Sequence, residues 1–283
     1  MNGVNGMDGM DGMDGVSVPH RADAAGRRRS ALVTGAARGI GRAVAERLLA
    51  DGWNVLLADV DPEVEATARR LDPSGRHAVA VVADVTRTGP DAGAERMAAR
   101  AVEAFGSLDA LVANAAVGGP DTPLLETPDE AVRQVFEINF FGVLRCARAV
   151  APLLGRGGER GRIVVLGSLF AQTPTPGAGA YSASKAAVQS LMTTLAVELA
   201  AVATVNSVAP GYIMTEMHRE ELAARARRSG RSPDEERRLV AADVPLGRHG
   251  TGADVADAVH FLLSGADYVT GQTINVNGGV LPS

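Results

Sequence analysis

The chain has 283 residues, enough for one large domain or two small ones with a sizeable core. Hydrophobic content of 46%, charged content of 22% and a formal net charge of −5 fit a globular protein and leave no electrostatic footprint for nucleic acid. No apolar run approaches the roughly 20 residues that span a bilayer, and the single cysteine, Cys146, excludes an intrachain disulfide and points to a reducing compartment, the cytoplasm.

Residues 1–29 differ from the rest. Met7-Asp8-Gly9 recurs as Met10-Asp11-Gly12 and Met13-Asp14-Gly15, and Arg27-Arg28-Arg29 follows. Such glycine-rich, low-complexity sequence buries too little surface to fold, so a disordered tail is expected. The apolar stretch after the arginines ends at Thr34-Gly35, too short for an export signal. A single domain is expected over residues 30–283.

From Ser30 onward, short apolar runs alternate with amphipathic helical patterns. Strands are expected at 31–33, 54–58, 78–82, 110–112, 162–166, 204–208 and 273–276. Helices are expected at 40–50, 62–71, 92–105, 130–154, 180–200 and 254–263. The strand runs are apolar throughout rather than alternating, as in a sheet covered on both faces. The fold expected is α/β, a doubly wound parallel sheet of Rossmann-like type. Residues 215–250 break the rhythm with polar, Arg- and Glu-rich short helices. They leave the carboxyl end of a strand, where sites on such sheets form, which favours a helical substrate lid over a solvated insertion. Cys146 sits in a helical pattern and reads as a small buried hydrophobe. No metal site is expected.

Thr34 to Gly41 joins the first strand to the first helix, with Gly35, Gly39 and Gly41 in the pattern G-x-x-x-G-x-G. Small residues here, with Arg38 and Ile40 among them, let backbone approach a pyrophosphate at a helix N-terminus. Asp59 closes the second strand. A carboxylate there accepts hydrogen bonds from an adenosine ribose and repels a 2′-phosphate, which favours NAD over NADP. Arg38 is the one nearby cation that can greet a phosphate instead. Asp59 can also serve as a cap ahead of the helix at Pro62. Asp84-Val85 ends the third strand within reach of an adenine edge, although a loop-capping aspartate is the competing role. Asn114, ending the fourth strand, can support the central backbone near the cofactor.

Only one of the 28 basic residues is a lysine, Lys185, and it follows Tyr181 by four residues. That spacing puts both on one helix face. A free tyrosine has a pKa of about 10, and an adjacent ammonium lowers it. The pair is then expected to exchange a proton with a hydroxyl or carbonyl oxygen while hydride moves at carbon. Ser168, ending the fifth strand, can polarise the same oxygen. Asn139 is an amide in an otherwise apolar helix, where a buried polar group needs a reason. A water relay to Lys185 supplies one, and a helix kink satisfied by backbone contacts supplies another.

On these residues the chain resembles the short-chain dehydrogenase/reductase family, in its compact single-domain form, over about residues 30–279. The resemblance rests on Thr34 to Gly41, Asp84, Asn114-Ala115, Asn139, Ser168 thirteen residues before Tyr181, Lys185, Pro210-Gly211 and Thr215. It implies a Ser168–Tyr181–Lys185 centre assisted by Asn139, with Lys185 also binding the nicotinamide ribose. It implies that Ile213 and Thr215 meet the carboxamide and that Val85 contacts adenine. It also implies a homotetramer or homodimer packed through the two long helices. Two departures stand out: the family's N-N-A-G reads Ala113-Asn114-Ala115-Ala116, and its G-I-R-V-N reads Ala203-Thr204-Val205-Asn206.

The function expected is an NAD-dependent oxidoreductase acting on a secondary alcohol or ketone, with Tyr181 as acid and base. The alternatives are an NADPH-linked 3-oxoacyl-thioester reductase and, in another class, a non-catalytic NAD-binding sensor or scaffold. Leu169, Phe170, Pro174 and Pro176 suggest a largely apolar small-molecule substrate.

Overall fold

The computed structural model describes residues 26–282 apart from positions 90, 157 and 174. The Met-Asp-Gly repeats and Pro174 lie outside the described residues. Seven strands run in chain order as β1 (Ser30–Thr34), β2 (Asn54–Asp59), β3 (Ala78–Val82), β4 (Ala110–Ala113), β5 (Gly161–Leu166), β6 (Ala203–Pro210) and β7 (Thr273–Val276). They form one parallel sheet in the order β3-β2-β1-β4-β5-β6-β7. The order reverses between β1 and β4, which opens a crevice at their carboxyl ends.

The helices are α1 (Gly39–Ala50), α2 (Glu63–Leu71), α3 (Gly93–Phe105), α4 (Asp129–Phe136), α5 (Gly142–Val150), α6 (Gly179–Glu198), α7 (Glu216–Ser229), α8 (Pro233–Asp243) and α9 (Gly252–Ser264). Successive strand side chains point to opposite faces, and both faces are buried. Ala31, Val33, Val55 and Leu57 join Val44, Leu48, Val64, Val259 and Leu262, so α1, α2 and α9 cover one face. Leu32, Leu56 and Leu111 join Met97, Cys146, Val150, Val188 and Met192, so α3, α5 and α6 cover the other. Covering both faces is why the strands carry no polar alternation. Each fully buried Leu or Met contributes on the order of 1.5–3 kcal/mol.

Cys146 is buried in that second layer, and burial pushes its thiol up to about 12. It is a packed hydrophobe, as its sequence setting predicts.

The expected single helix over 130–154 is broken into pieces. A five-residue π turn over Glu137–Phe141 separates α4 from α5 and carries Asn139. The apolar pattern conceals this widened turn, because each piece keeps a helical periodicity. Residues 215–250 do hold two polar helices. Thr215 caps α7 by accepting from the His218 N–H, Gly230 ends it in the left-handed region at φ 73°, and Ser232 and Glu235 form a capping box on α8.

The predicted tail boundary moves inward. Arg27 donates two hydrogen bonds to Asp109, at 2.8 and 3.1 Å, and Arg29 pairs with Glu159 at 2.6 Å while lying over Trp53. Asp109 also accepts from the Ser30 N–H at 2.8 Å and from the Ser30 hydroxyl at 3.1 Å. Three arginines in a row read as tail composition, but two of them close the amino end of the sheet. Replacing Asp109 with Ala should therefore lower the unfolding free energy by about 2 kcal/mol, measured by urea titration, because the Ser30 N–H loses its carboxylate acceptor and Arg27 loses its ion pair.

Candidate functional site

The glycine turn after β1 sits at the switch point. Gly35 and Gly39 have φ of 65° and 59°, a region that favours glycine. A Cβ at Gly41 would overlap the Gly35 carbonyl oxygen, so the first turn of α1 can tuck beneath the loop only without one. The N-cap of α1, Arg38, makes no side-chain cap, and no acidic residue stands in the first turn. The N–H groups that begin the helix thus point outward with a positive dipole end, the chemistry that receives a phosphate. The residues present fit a dinucleotide.

Asn114 supports the backbone beside that crevice. Its side-chain amide donates to the carbonyls of Thr34 and Gly35, at 2.8 and 3.0 Å. The Thr34 hydroxyl accepts from the N–H groups of Asn114 and Ala115, at 3.0 and 3.1 Å. Together they clamp β1 to β4. The sequence places Thr34 at the head of the glycine turn but does not show this clamping role, for which a hydroxyl at the end of an apolar strand was the signal.

Asp59 accepts from the Ala37 N–H at 2.9 Å and the Asp61 N–H at 3.0 Å. Its carboxylate is fixed beside the glycine turn, not used as a cap ahead of Pro62. Arg38 is 3.0 Å from Glu216 and 3.8 Å from Asp61, so carboxylates already answer its charge. Asp84 accepts from the Thr86 N–H at 2.8 Å, the loop-capping role. The Val85 side chain packs inward, where a Cβ on Gly142 would meet it, so only its backbone can meet an adenine. Ile213 is also buried in the core, with its backbone bridged to Gly250. Thr215 lies against Gly39, and Gly211 donates its N–H to Val276 at 2.9 Å beside Pro210 at the end of β6.

At the chemical end the predicted constellation comes together. Ser168 follows β5, caps a short 3-10 turn by accepting from the Phe170 N–H at 3.1 Å, and hydrogen-bonds the Tyr181 phenol. Lys185 is 3% exposed, donates to the Leu166 carbonyl at 2.7 Å and lies 5.7 Å from the centroid of the Tyr181 ring. Asn139 is fully buried. Its amide oxygen accepts from the Val117 N–H at 2.9 Å, and its amide nitrogen donates to the Val117 carbonyl and the Ser184 hydroxyl, each at 3.0 Å. Ser184 in turn donates to the Tyr181 carbonyl at 2.7 Å. Asn139 therefore braces the π turn, the loop after β4 and the helix that carries Tyr181. Its side chain meets backbone and a hydroxyl rather than Lys185.

The electrostatics differ from the expectation. Burial pushes the Tyr181 phenol above its ordinary range, the Ser168 hydrogen bond pulls it back, and the Glu221 charge pushes it up again. The predicted lowering by Lys185 is not among these influences. The ammonium lies over the ring face, and the same burial drives Lys185 down to about 8.

A second cluster was missed by the sequence reading. Phe170 packs edge-on against both Tyr181 and Tyr212, with centroids 6.3 and 6.2 Å apart. Tyr212 stacks on His218 at 5.6 Å and lies beneath Arg225 at 5.5 Å. His218 and Arg225 hold the Glu221 carboxylate at 2.9 and 2.6 Å. Residues 218, 221 and 225 recur at helical spacing along α7, a stripe hidden by the charge richness of the segment. The helix is tied to the glycine turn by Arg38–Glu216 and to the loop after β4 by Arg228–Asp121, so it roofs the crevice.

A family model described as Enoyl-(Acyl carrier protein) reductase matches residues 35–281. A 3-oxoacyl-(acyl-carrier-protein) reductase of Staphylococcus epidermidis is 36% identical, with 89% of this chain and 98% of that protein covered. An L-2,3-butanediol dehydrogenase of Corynebacterium glutamicum is 35% identical, again covering 89% and 98%. The solved 3-ketoacyl-(acyl-carrier-protein) reductase of Brucella melitensis, complexed with NADH, is 28% identical at a TM-score of 0.77, covering 90% of this chain and 98% of that one.

Because the sequence has one lysine, isotopic labelling of lysine gives a single side-chain resonance. Its titration should have a midpoint near 8, charged below and neutral above. Between that value and an ordinary lysine pKa the unfolded chain binds the extra proton, so this group's contribution to stability rises with pH. A midpoint above 10 would show that Lys185 is not buried as described.

Proposed function

The chain belongs to the short-chain dehydrogenase/reductase family of oxidoreductases, and from that premise we propose that it moves hydride between NAD and a secondary alcohol or ketone. The reading is carried by one observation: the Tyr181 phenol, bonded to Ser168 and one helical turn from buried Lys185, at the carboxyl end of the sheet that also holds the uncapped start of α1. A pure binding protein has no use for that phenol.

When bound, the nicotinamide supplies or accepts the hydride. The chain's own residues do the rest. Tyr181 gives its proton to the substrate oxygen in reduction and takes it back in oxidation, and Ser168 holds that oxygen. Lys185 meets the ribose hydroxyls with an ammonium steadied by the Leu166 carbonyl. Asn139, through Val117 and Ser184, fixes the distance between the two ends. Gly35, Arg38, Gly39, Ile40 and Gly41 receive the pyrophosphate, and Asn114 braces them. Asp84 and Val85 border the adenine, while Pro210, Gly211, Ile213 and Thr215 border the carboxamide. The edges of Phe170 and Tyr212 form an apolar wall for the substrate's carbon skeleton.

A preference for NAD over NADP is supported by the Asp59 carboxylate, fixed at the end of β2 where it would repel a 2′-phosphate, and by the engagement of Arg38 with Glu216 and Asp61. The second reading, an NADPH-linked 3-oxoacyl-thioester reductase, is favoured by the name of the 36% identical relative. The single buried cysteine fits a cytoplasmic setting, and no helix among the described residues is long and apolar enough to cross a membrane. Exposed Phe141 before α5 and exposed Val197 on α6 suit assembly into a homodimer or homotetramer through these helices.

Replacing Tyr181 with Phe should reduce kcat for alcohol oxidation by at least about 10³-fold while NADH still binds, as followed by its fluorescence. Unchanged turnover would remove Tyr181 from the chemistry. In the wild type, kcat/KM with NADH should exceed that with NADPH by roughly 10-fold or more, and replacing Asp59 with Ser should narrow the gap. A preference for NADPH together with turnover of an acetoacetyl thioester would establish the second reading instead.

A further inference from the structure

Arg38 stands where two parts of the molecule meet. On one side its neighbour Ala37 donates its N–H to the Asp59 carboxylate at 2.9 Å, and the same carboxylate accepts from the Asp61 N–H at 3.0 Å. On the other side its neighbour Gly39 lies against Thr215, the N-cap of α7. The Arg38 guanidinium is 3.8 Å from Asp61, in the turn after β2, and 3.0 Å from Glu216, the first residue of α7. One side chain thus bridges the turn proposed to meet the adenosine ribose and the helix that roofs the crevice.

The two ends of this bridge are unequal. Asp61 uses its other oxygen to accept from the Glu63 N–H at 3.0 Å, which keeps it in its own turn. Glu216 pairs, among the described residues, with Arg38 only. That pair is open to solvent, with 64% of the Arg38 side chain and 54% of the Glu216 side chain exposed, so it is weak enough to be exchanged. A phosphate carries more negative charge than a carboxylate and takes guanidinium N–H groups in pairs. NAD, with a free 2′-hydroxyl on its adenosine ribose, makes no claim on Arg38. NADP brings a 2′-phosphate, and Arg38 is the cation that the glycine turn offers to it.

We infer that Glu216 is a coenzyme-selecting residue carried on the roof of the crevice: it holds Arg38 against α7, so that NAD binds with the roof tied at its start, whereas NADP draws Arg38 away and leaves that end of α7 without its ion pair. This deepens the reading of the site as a nicotinamide-dependent oxidoreductase and rests on it. Asp59 acts on the 2′ position directly, but Glu216 acts through Arg38. The exchange is reciprocal, since whatever affinity Glu216 costs NADP is taken from the closure of the roof when NADP binds. The Arg228–Asp121 pair stands at the opposite end of α7, so the helix loosens at its start without detaching.

The test needs no substrate. Dissociation constants for NADH and NADPH are measured by coenzyme fluorescence on the full chain, in the wild type, Glu216→Gln, Arg38→Gln and the double variant. Glu216→Gln should tighten NADPH by roughly 2- to 5-fold, the range of an exposed ion pair, while NADH affinity moves much less. In the Arg38→Gln background the same replacement should no longer tighten NADPH, because there is no cation to release. Amide hydrogen exchange over residues 216–229, followed by mass spectrometry, should be faster with saturating NADP than with saturating NAD in the wild type, and alike with both in Glu216→Gln. No gain for NADPH in Glu216→Gln, an equal gain in the Arg38→Gln background, or equal exchange with the two coenzymes in the wild type overturns the inference and leaves the oxidoreductase reading in place. Binding of neither coenzyme removes that reading and the inference with it.

Discussion

The site depends on a clamp between two strands. Asn114 and Thr34 exchange hydrogen bonds across the carboxyl ends of β1 and β4, where the sheet changes direction. The Gly35 carbonyl is held from one side by Asn114 and from the other by the closeness of Gly41. Because the turn cannot relax inward, the start of α1 stays uncapped and directed at the crevice. The switch point of an α/β sheet is a place where helices part. Here it also becomes a place where backbone donors are left without partners. The alanine at 116, where the family pattern has glycine, does not disturb this arrangement, because the clamp runs through Thr34, Asn114 and Ala115.

A second brace fixes the distance from this turn to the chemistry. Asn139 is one buried amide, yet it touches three elements: the π turn that holds it, the Val117 backbone after β4, and Ser184 on α6. Ser184 stands within one turn of both Tyr181 and Lys185. The widening of the helix at Glu137–Phe141 brings that amide inward, and π turns of this kind tend to mark functional positions. The brace and the clamp share the loop after β4, so the cofactor end and the proton-transfer end are positioned from one short segment.

Much of this was legible in the sequence, for identifiable reasons. Continuous apolar strands revealed a sheet covered on both sides, and the glycines at 35, 39 and 41 revealed a tight strand–helix turn. Ser168, Tyr181 and Lys185 were legible because residue type and spacing together specify their chemistry. The π turn was not, since periodicity does not register one added residue. Asp84 suited both an adenine contact and a loop cap, and Asn139 both a water relay and a backbone-satisfied kink, because a carboxylate or an amide serves either and only hydrogen-bond partners separate them. His218, Glu221 and Arg225 stayed hidden in a charge-rich stretch where most side chains are solvated. Two of the three tail arginines, Arg27 and Arg29, misled in the opposite direction, since composition alone does not show that Asp109 and Glu159 lie opposite them.

The solitary lysine gains a different meaning from the geometry. The sequence suggested that its charge tunes the neighbouring phenol, but burial dominates both groups and moves them toward their neutral forms. An arginine at 185 cannot follow. Its guanidinium keeps its charge at any accessible pH and carries five donors, whereas the described acceptor for this buried end is one carbonyl, that of Leu166. The extra donors would be left unpaired in the interior, at a cost of about 1–3 kcal/mol each. A lysine leaves one N–H on Leu166 and two free to turn toward a ribose, and it can surrender its proton. The position therefore selects a compact amine for what it can release as much as for the charge it brings. That selection holds in a chain whose other 27 basic residues are all arginine.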